Sequence, residues 1–109
     1  MEIKNLAFDN FWEILTNALG NEKLIRNWTV DKGYLRRGDF PAIYRGGEYI
    51  ECRPPNAKYP QLVLKKDFQY MYDNWQDYLS GRIKRSVLRD KSRYTKYTIS
   101  ILHQYENLI

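Results

Sequence analysis

A chain of 109 residues with 43% hydrophobic and 16% aromatic side chains is long enough for one domain spanning residues 1–109 with its own core, and short for two. One cysteine excludes an internal disulfide, no run approaches the apolar length that spans a bilayer, and Met1-Glu2-Ile3-Lys4-Asn5 lacks the basic head and apolar run of a signal peptide, so a cytoplasmic location is expected. The net charge of +5 is concentrated: residues 1–81 carry eleven cations and eleven anions, residues 82–96 seven cations and one anion, and residues 97–109 a single anion. A polyanionic partner would be drawn to that one segment, although a solvated helix face has the same composition.

The first predicted element is a helix over Phe8–Leu19. Phe8, Phe11, Trp12, Leu15 and Leu19 recur at the spacing of one helical face, and Gly20 follows as a stop. Leu24–Val30 has strand composition with imperfect alternation, and Gly33–Gly38 reads as a polar turn. A β-hairpin is predicted at about residues 42–53, with Gly46-Gly47 as its two-residue loop. That loop would set Arg45 opposite Glu48, Tyr44 opposite Tyr49 and Ile43 opposite Ile50, all chemically matched. The proline-rich stretch 54–60 is a loop, and Gln61–Lys65 returns as a third strand. A second helix is predicted over Asp67–Ser80, with Phe68, Met71, Tyr72, Trp75 and Leu79 on one face, Asp67 as N-cap and Gly81 as terminator.

Beyond Gly81 two readings compete. One is a continuous helix over about 82–106, in which Arg82, Arg85, Arg89, Arg93 and Lys96 form one cationic stripe. The other breaks the chain near Asp90-Lys91, giving a short helix 82–90 and a further helix capped by Ser92 and running to about Glu106. With 67–80 in front, the second has the chain order of a three-helix helix-turn-helix arrangement. Arg93, Thr95, Lys96 and Ser100 would then face base edges in the major groove. Arg82, Lys84, Arg85 and Arg89 would contact phosphates. Arg45 at the hairpin tip would serve as a wing, and Arg36 and Arg37 as a further phosphate contact. Tyr94 or Tyr97, if exposed, could stack on unpaired bases. The β-branched residues Thr95, Thr98, Ile99 and Ile101 leave open an edge strand over 97–102 instead.

Catalytic chemistry has little footing. His103 is the single histidine and has no local nucleophile beside it, no Cys/His spacing suggests a metal site, and no glycine-rich loop opens a helix. Asp39 followed by Glu51-Cys52-Arg53 loosely imitates the acidic and basic pattern of restriction-type nucleases, a pattern common by chance. Cys52 reads as a small buried hydrophobe. The expectation is an α+β fold: an N-terminal helix, a small antiparallel sheet and a helical C-terminal third. Its function would be non-enzymatic nucleic-acid binding, DNA rather than RNA, without cofactor or metal. The competing expectation is a protein-interaction module or homodimer using exposed tyrosines, with Tyr34, Tyr44, Tyr49 and Tyr59 as candidates.

Overall fold

The computed structural model describes residues 7–29, 38–54 and 57–106. Helix α1 spans Phe8–Ala18 and buries the predicted face through Phe8, Phe11, Trp12 and Leu15. Leu19, fully buried, closes it by donating its N–H to the Leu15 carbonyl at 3.0 Å. The Leu19 carbonyl in turn accepts the Tyr44 N–H at 2.8 Å, which fastens the end of the helix to the sheet.

Four antiparallel strands follow as a meander, β1 (Lys23–Ile25), β2 (Phe40–Ile43), β3 (Tyr49–Cys52) and β4 (Gln61–Leu64), in the order β1-β2-β3-β4. β1 is shorter than the predicted Leu24–Val30. Asn27 is the reason: its Oδ1 accepts both the N–H and the hydroxyl of Thr29, at 2.9 and 2.6 Å, a local turn that competes with the ladder. The predicted turn 33–38 lies outside the described residues except for Gly38. The hairpin forms where predicted, but its register is shifted by one residue. Ala42 pairs with Cys52 and Ile43 with Glu51, so Ile43 does not face Ile50. A one-residue slip exchanges the two faces of a strand. The observed register is the one that puts Phe40, Ala42, Ile50 and Cys52 on the core side together, all at most 1% exposed. Core burial thus overrides the matched pairs at the loop. Pro41 lies within the central strand β2, yet only its carbonyl is needed there; it accepts the Arg53 N–H at 3.0 Å just past the end of β3.

β4 runs directly into helix α2, Lys65–Asp73. The helix begins two residues before the predicted N-cap, so Asp67 lies within the first turn. Its Oδ1 accepts the Ser92 hydroxyl at 2.8 Å instead of capping α2. The single helix expected over 67–80 is two, because Asn74 turns the chain and returns its side-chain amide to the Tyr70 carbonyl at 2.8 Å. Helix α3, Trp75–Leu79, keeps Trp75 in the core but leaves Leu79 exposed. Gly81, at φ +81, ends this run as predicted.

The C-terminal third adopts the broken reading. Helix α4 covers Arg85–Arg89 and helix α5 covers Thr95–Tyr105. Residues 97–102 are therefore helical despite their β-branched content. Tertiary packing supplies what propensity does not: Thr95 and the whole run Tyr97–Leu102 are buried, as is Tyr105. A helix enclosed on nearly every side belongs to the interior. α5 lies against α2, α4 and β1, and Tyr97 meets Phe40 of the sheet edge-on at 4.9 Å.

The molecule is thus an α+β arrangement with one core between helices and the inner face of the sheet. The outer face carries Leu24, Ile43, Tyr49, Glu51, Leu62 and Leu64, and Leu24, Leu62 and Leu64 are 59%, 45% and 39% exposed. Among the described residues, no helix is long and apolar enough to cross a membrane.

Candidate nucleic-acid interface

The basic segment does not form one stripe. Its residues divide into a solvent-facing set and a partly buried set. Arg82, Lys84, Arg89, Lys91 and Arg93 are exposed, whereas Arg85 and Lys96 are partly buried.

The two hydroxyl residues expected at base edges are not available to a groove, which corrects that expectation. Thr95 is fully buried and its Oγ1 accepts Arg85 Nε–H at 3.2 Å. Ser100 is fully buried and its Oγ accepts the Trp28 N–H at 3.1 Å. One turn further on, Gln104 accepts the Arg26 N–H and donates to the Leu24 carbonyl, both at 3.1 Å. Ser100 and Gln104 therefore serve the open edge of β1, standing in for a fifth strand. Short polar side chains at i and i+4 on an amphipathic helix resemble a reading face in sequence, and here they satisfy backbone groups instead. Ser92 likewise does not act as a simple cap for the last helix, which begins at Thr95 after Tyr94.

Arg85 and Lys96 support the positive field from behind. Burial, then the neighbouring Arg89, lower the pKa of Arg85, and Tyr78 opposes this. Burial, then Arg85, lower that of Lys96, and Asp39 opposes this. Lys96 also lies over the Phe40 and Tyr97 rings, at 5.9 and 5.5 Å from their centroids. Arg82 is partly spent on Asp77, 3.5 Å away. Arg45 is exposed on the hairpin turn and bonded to Glu51 at 3.1 Å. Arg36 and Arg37 lie outside the described residues, as does Tyr34.

Among the described residues, several of the exposed cations line an open cleft of about 440 Å³. One wall is Leu64, Lys66 and Asp67, from the end of β4 and the first turn of α2; the other is Arg89–Tyr94, the connection from α4 to α5. Four cations (Lys66, Arg89, Lys91 and Arg93) face two carboxylates (Asp67 and Asp90). Asp67 is engaged by the 5% exposed Ser92, a bond that ties the two walls together. Among the described residues, no carboxylate lies within ion-pairing distance of those four cations. Arg93 donates to the Tyr94 hydroxyl at 3.2 Å, and its guanidinium carbon is 5.3 Å from that ring's centroid.

Lys66 and Lys91 were not among the residues singled out from the sequence. Lys91 lies in the expected turn, and Lys66 is sixteen residues before the start of the basic run at Arg82. The pair Lys65-Lys66 at a strand-to-helix junction was the available signal. Only the fold separates its members: Lys65 turns toward Asp9 and the Trp12 ring, at 3.6 and 5.8 Å, and Lys66 lines the cleft.

The residues of the nuclease-like pattern have other tasks. Asp39 accepts the Asn27 N–H at 2.9 Å, and Glu51 holds Arg45. Cys52 is fully enclosed and burial pushes its thiol well above the ordinary range, so it is no nucleophile in the folded chain. No protein-family model, curated protein or solved structure matches this chain.

Proposed function

We propose that this chain is a small, non-enzymatic nucleic-acid-binding protein, with DNA as its ligand, and that it binds through the exposed cations of its C-terminal third. The observation that carries this reading is the cleft in which Lys66, Arg89, Lys91 and Arg93 converge, outnumbering Asp67 and Asp90 and, among the described residues, with no carboxylate in ion-pairing distance. Arg82 and Lys84 extend the same charge along the surface before α4. Cations left unpaired around a concavity gain most from a ligand with regularly spaced negative charge, through counterion release. The helix-turn-helix mode of base reading is set aside, since Thr95 and Ser100 are buried. Contacts would be to the backbone, positioning the ligand without reading its sequence. A cytoplasmic location accords with the lone, buried thiol of Cys52.

The test is fluorescence anisotropy with labelled single- and double-stranded DNA across a salt series. Affinity should fall steeply and linearly on logarithmic axes. Arg89→Ala/Lys91→Ala/Arg93→Ala should leave folding intact, because all three side chains are exposed, and should flatten the duplex slope by about 2–3, since each phosphate contact contributes roughly 0.9. An unchanged affinity in that variant rules out the site.

A second reading is favoured by a different surface. The outer face of the sheet is apolar and uncovered at Leu24, Leu62 and Leu64, and Tyr59 nearby in sequence is 68% exposed. Such a patch suits a protein partner or a second copy of the chain. Of the tyrosines considered for this role, Tyr44 is half-buried against Trp12 and bonded to the Gly47 carbonyl, and Tyr49 is half-buried on the outer face. Association through this face would depend little on salt.

A further inference from the structure

The shape of the cationic cleft carries more than its charge. A duplex presents its phosphates along a convex surface and keeps its bases stacked, so it can touch the rim of a concavity without filling it. An unpaired nucleotide can enter, placing its phosphate on cations and its base against a flat side chain. The cleft offers both kinds of contact within about 440 Å³, inside the ~300–1,000 Å³ range of sites for small molecules. Lys66, Arg89 and Lys91 provide point charges and a guanidinium for phosphate. Arg93 and Tyr94 provide a planar pair, and Leu64 is an apolar surface on the opposite wall. The Ser92–Asp67 hydrogen bond of 2.8 Å joins the two walls in the free chain, so their backbones need not be brought together on binding.

We infer that this cleft accepts one unpaired nucleotide of a single strand, with its phosphate on Lys66, Arg89 and Lys91 and its base against the Arg93–Tyr94 pair. The inference rests on the nucleic-acid-binding reading and adds to it a preference for single strands over duplex. Tyr97, the other aromatic candidate for stacking, is buried and takes no part.

The experiment compares a labelled single strand with a duplex of equal length, at one salt concentration, using the wild-type chain and Arg93→Lys. The substitution keeps the charge and removes the planar stacking surface, at a side chain exposed enough to leave the fold alone. Arg53→Lys, the same change at an exposed arginine outside the cleft, serves as the control. The single strand should bind about tenfold more tightly than the duplex, within the range that base stacking supplies. Arg93→Lys should remove most of that preference, and Arg53→Lys should retain it. Equal affinity for the two ligands, or a preference that survives Arg93→Lys, overturns the inference while nucleic-acid binding stands. Absence of binding to either ligand at low salt overturns both. Unlabelled dAMP and inorganic phosphate serve as competitors. Displacement of the strand by dAMP at stoichiometric concentration would make the ligand a free nucleotide and refute the strand assignment.

Discussion

His103 shows how far one side chain's behaviour depends on its neighbours. Its ring stacks on Trp28 at 4.9 Å and meets the edge of Trp75 at 4.8 Å. Burial lowers its pKa below the ordinary 6.5, and Glu106, with Oε1 3.9 Å from Nδ1, pulls the other way. The folded chain therefore holds its neutral form at a pH where the unfolded chain has begun to take up a proton. The resulting stability is complete above pH 6.5 and is lost as the pH falls from there toward the folded-state pKa. Thermal melts followed by circular dichroism should show the midpoint dropping below pH 6.5, and His103→Gln should flatten that part of the profile. A profile identical in the two proteins would show that other groups govern it. This histidine, the single one in the sequence, is partly buried among aromatic rings, in keeping with its reading as a packing residue.

At the scale of secondary-structure elements, the entry into β2 leaves no room for a side chain at Gly38. Gly38 has φ +77, and a Cβ placed on it would stand 2.7 Å from Asn27 Nδ2 and 3.3 Å from Lys96 Nζ. Asn27 is itself buried, receives Thr29 on its Oδ1, and gives its N–H to Asp39. Gly38→Ala thus combines an unfavourable backbone conformation with a clash against a side chain that has little room to yield. It should destabilise the fold by about 1–3 kcal/mol in urea denaturation. A change within about 0.5 kcal/mol would mean that Asn27 can move aside. The same element logic accounts for α5. Its apolar and short polar residues form a helix because every side has something to bury against or bond to, with Ser100 and Gln104 closing the β1 edge.

For the molecule as a whole, two surfaces compete to explain the function; they meet at Leu64, which belongs to both, and can be changed separately at the residues that each has to itself. Leu24 and Leu62 lie on the outer sheet face, away from the cations of the cleft. Leu24→Glu/Leu62→Glu should cost little stability, because both side chains are exposed, at 59% and 45%. If the chain pairs through this face, sedimentation velocity should show the parent's self-association abolished, with DNA affinity changed little. A parent that remains monomeric at high concentration removes the homodimer from the second reading and leaves only a foreign partner for that surface. The cation substitutions should have the converse effect, altering salt-dependent binding and leaving association alone.

The amphipathic spacing of α1 and of the α2–α3 run, the glycine stops and the hairpin's location were legible in the sequence, because local periodicity and turn chemistry act within a few residues. The +6 segment was legible too, since charge is additive along the chain. The hairpin register was not. It depended on which alternation reached the core, and matched pairs near Gly46-Gly47 were outweighed by the burial of Ala42, Ile50 and Cys52. Nor could the sequence tell which members of the basic segment face solvent. Thr95 and Ser100 became interior because α5 is enclosed by α2, α4 and the sheet. Lys66 joined Arg89, Lys91 and Arg93 because α2 packs against α5, with the Ser92–Asp67 bond holding the start of α2 to the α4–α5 connection. The sequence by itself determined the elements and the sign of the charge. Which side chains meet was decided by tertiary structure, through long-range burial and hydrogen bonding that no local pattern encodes.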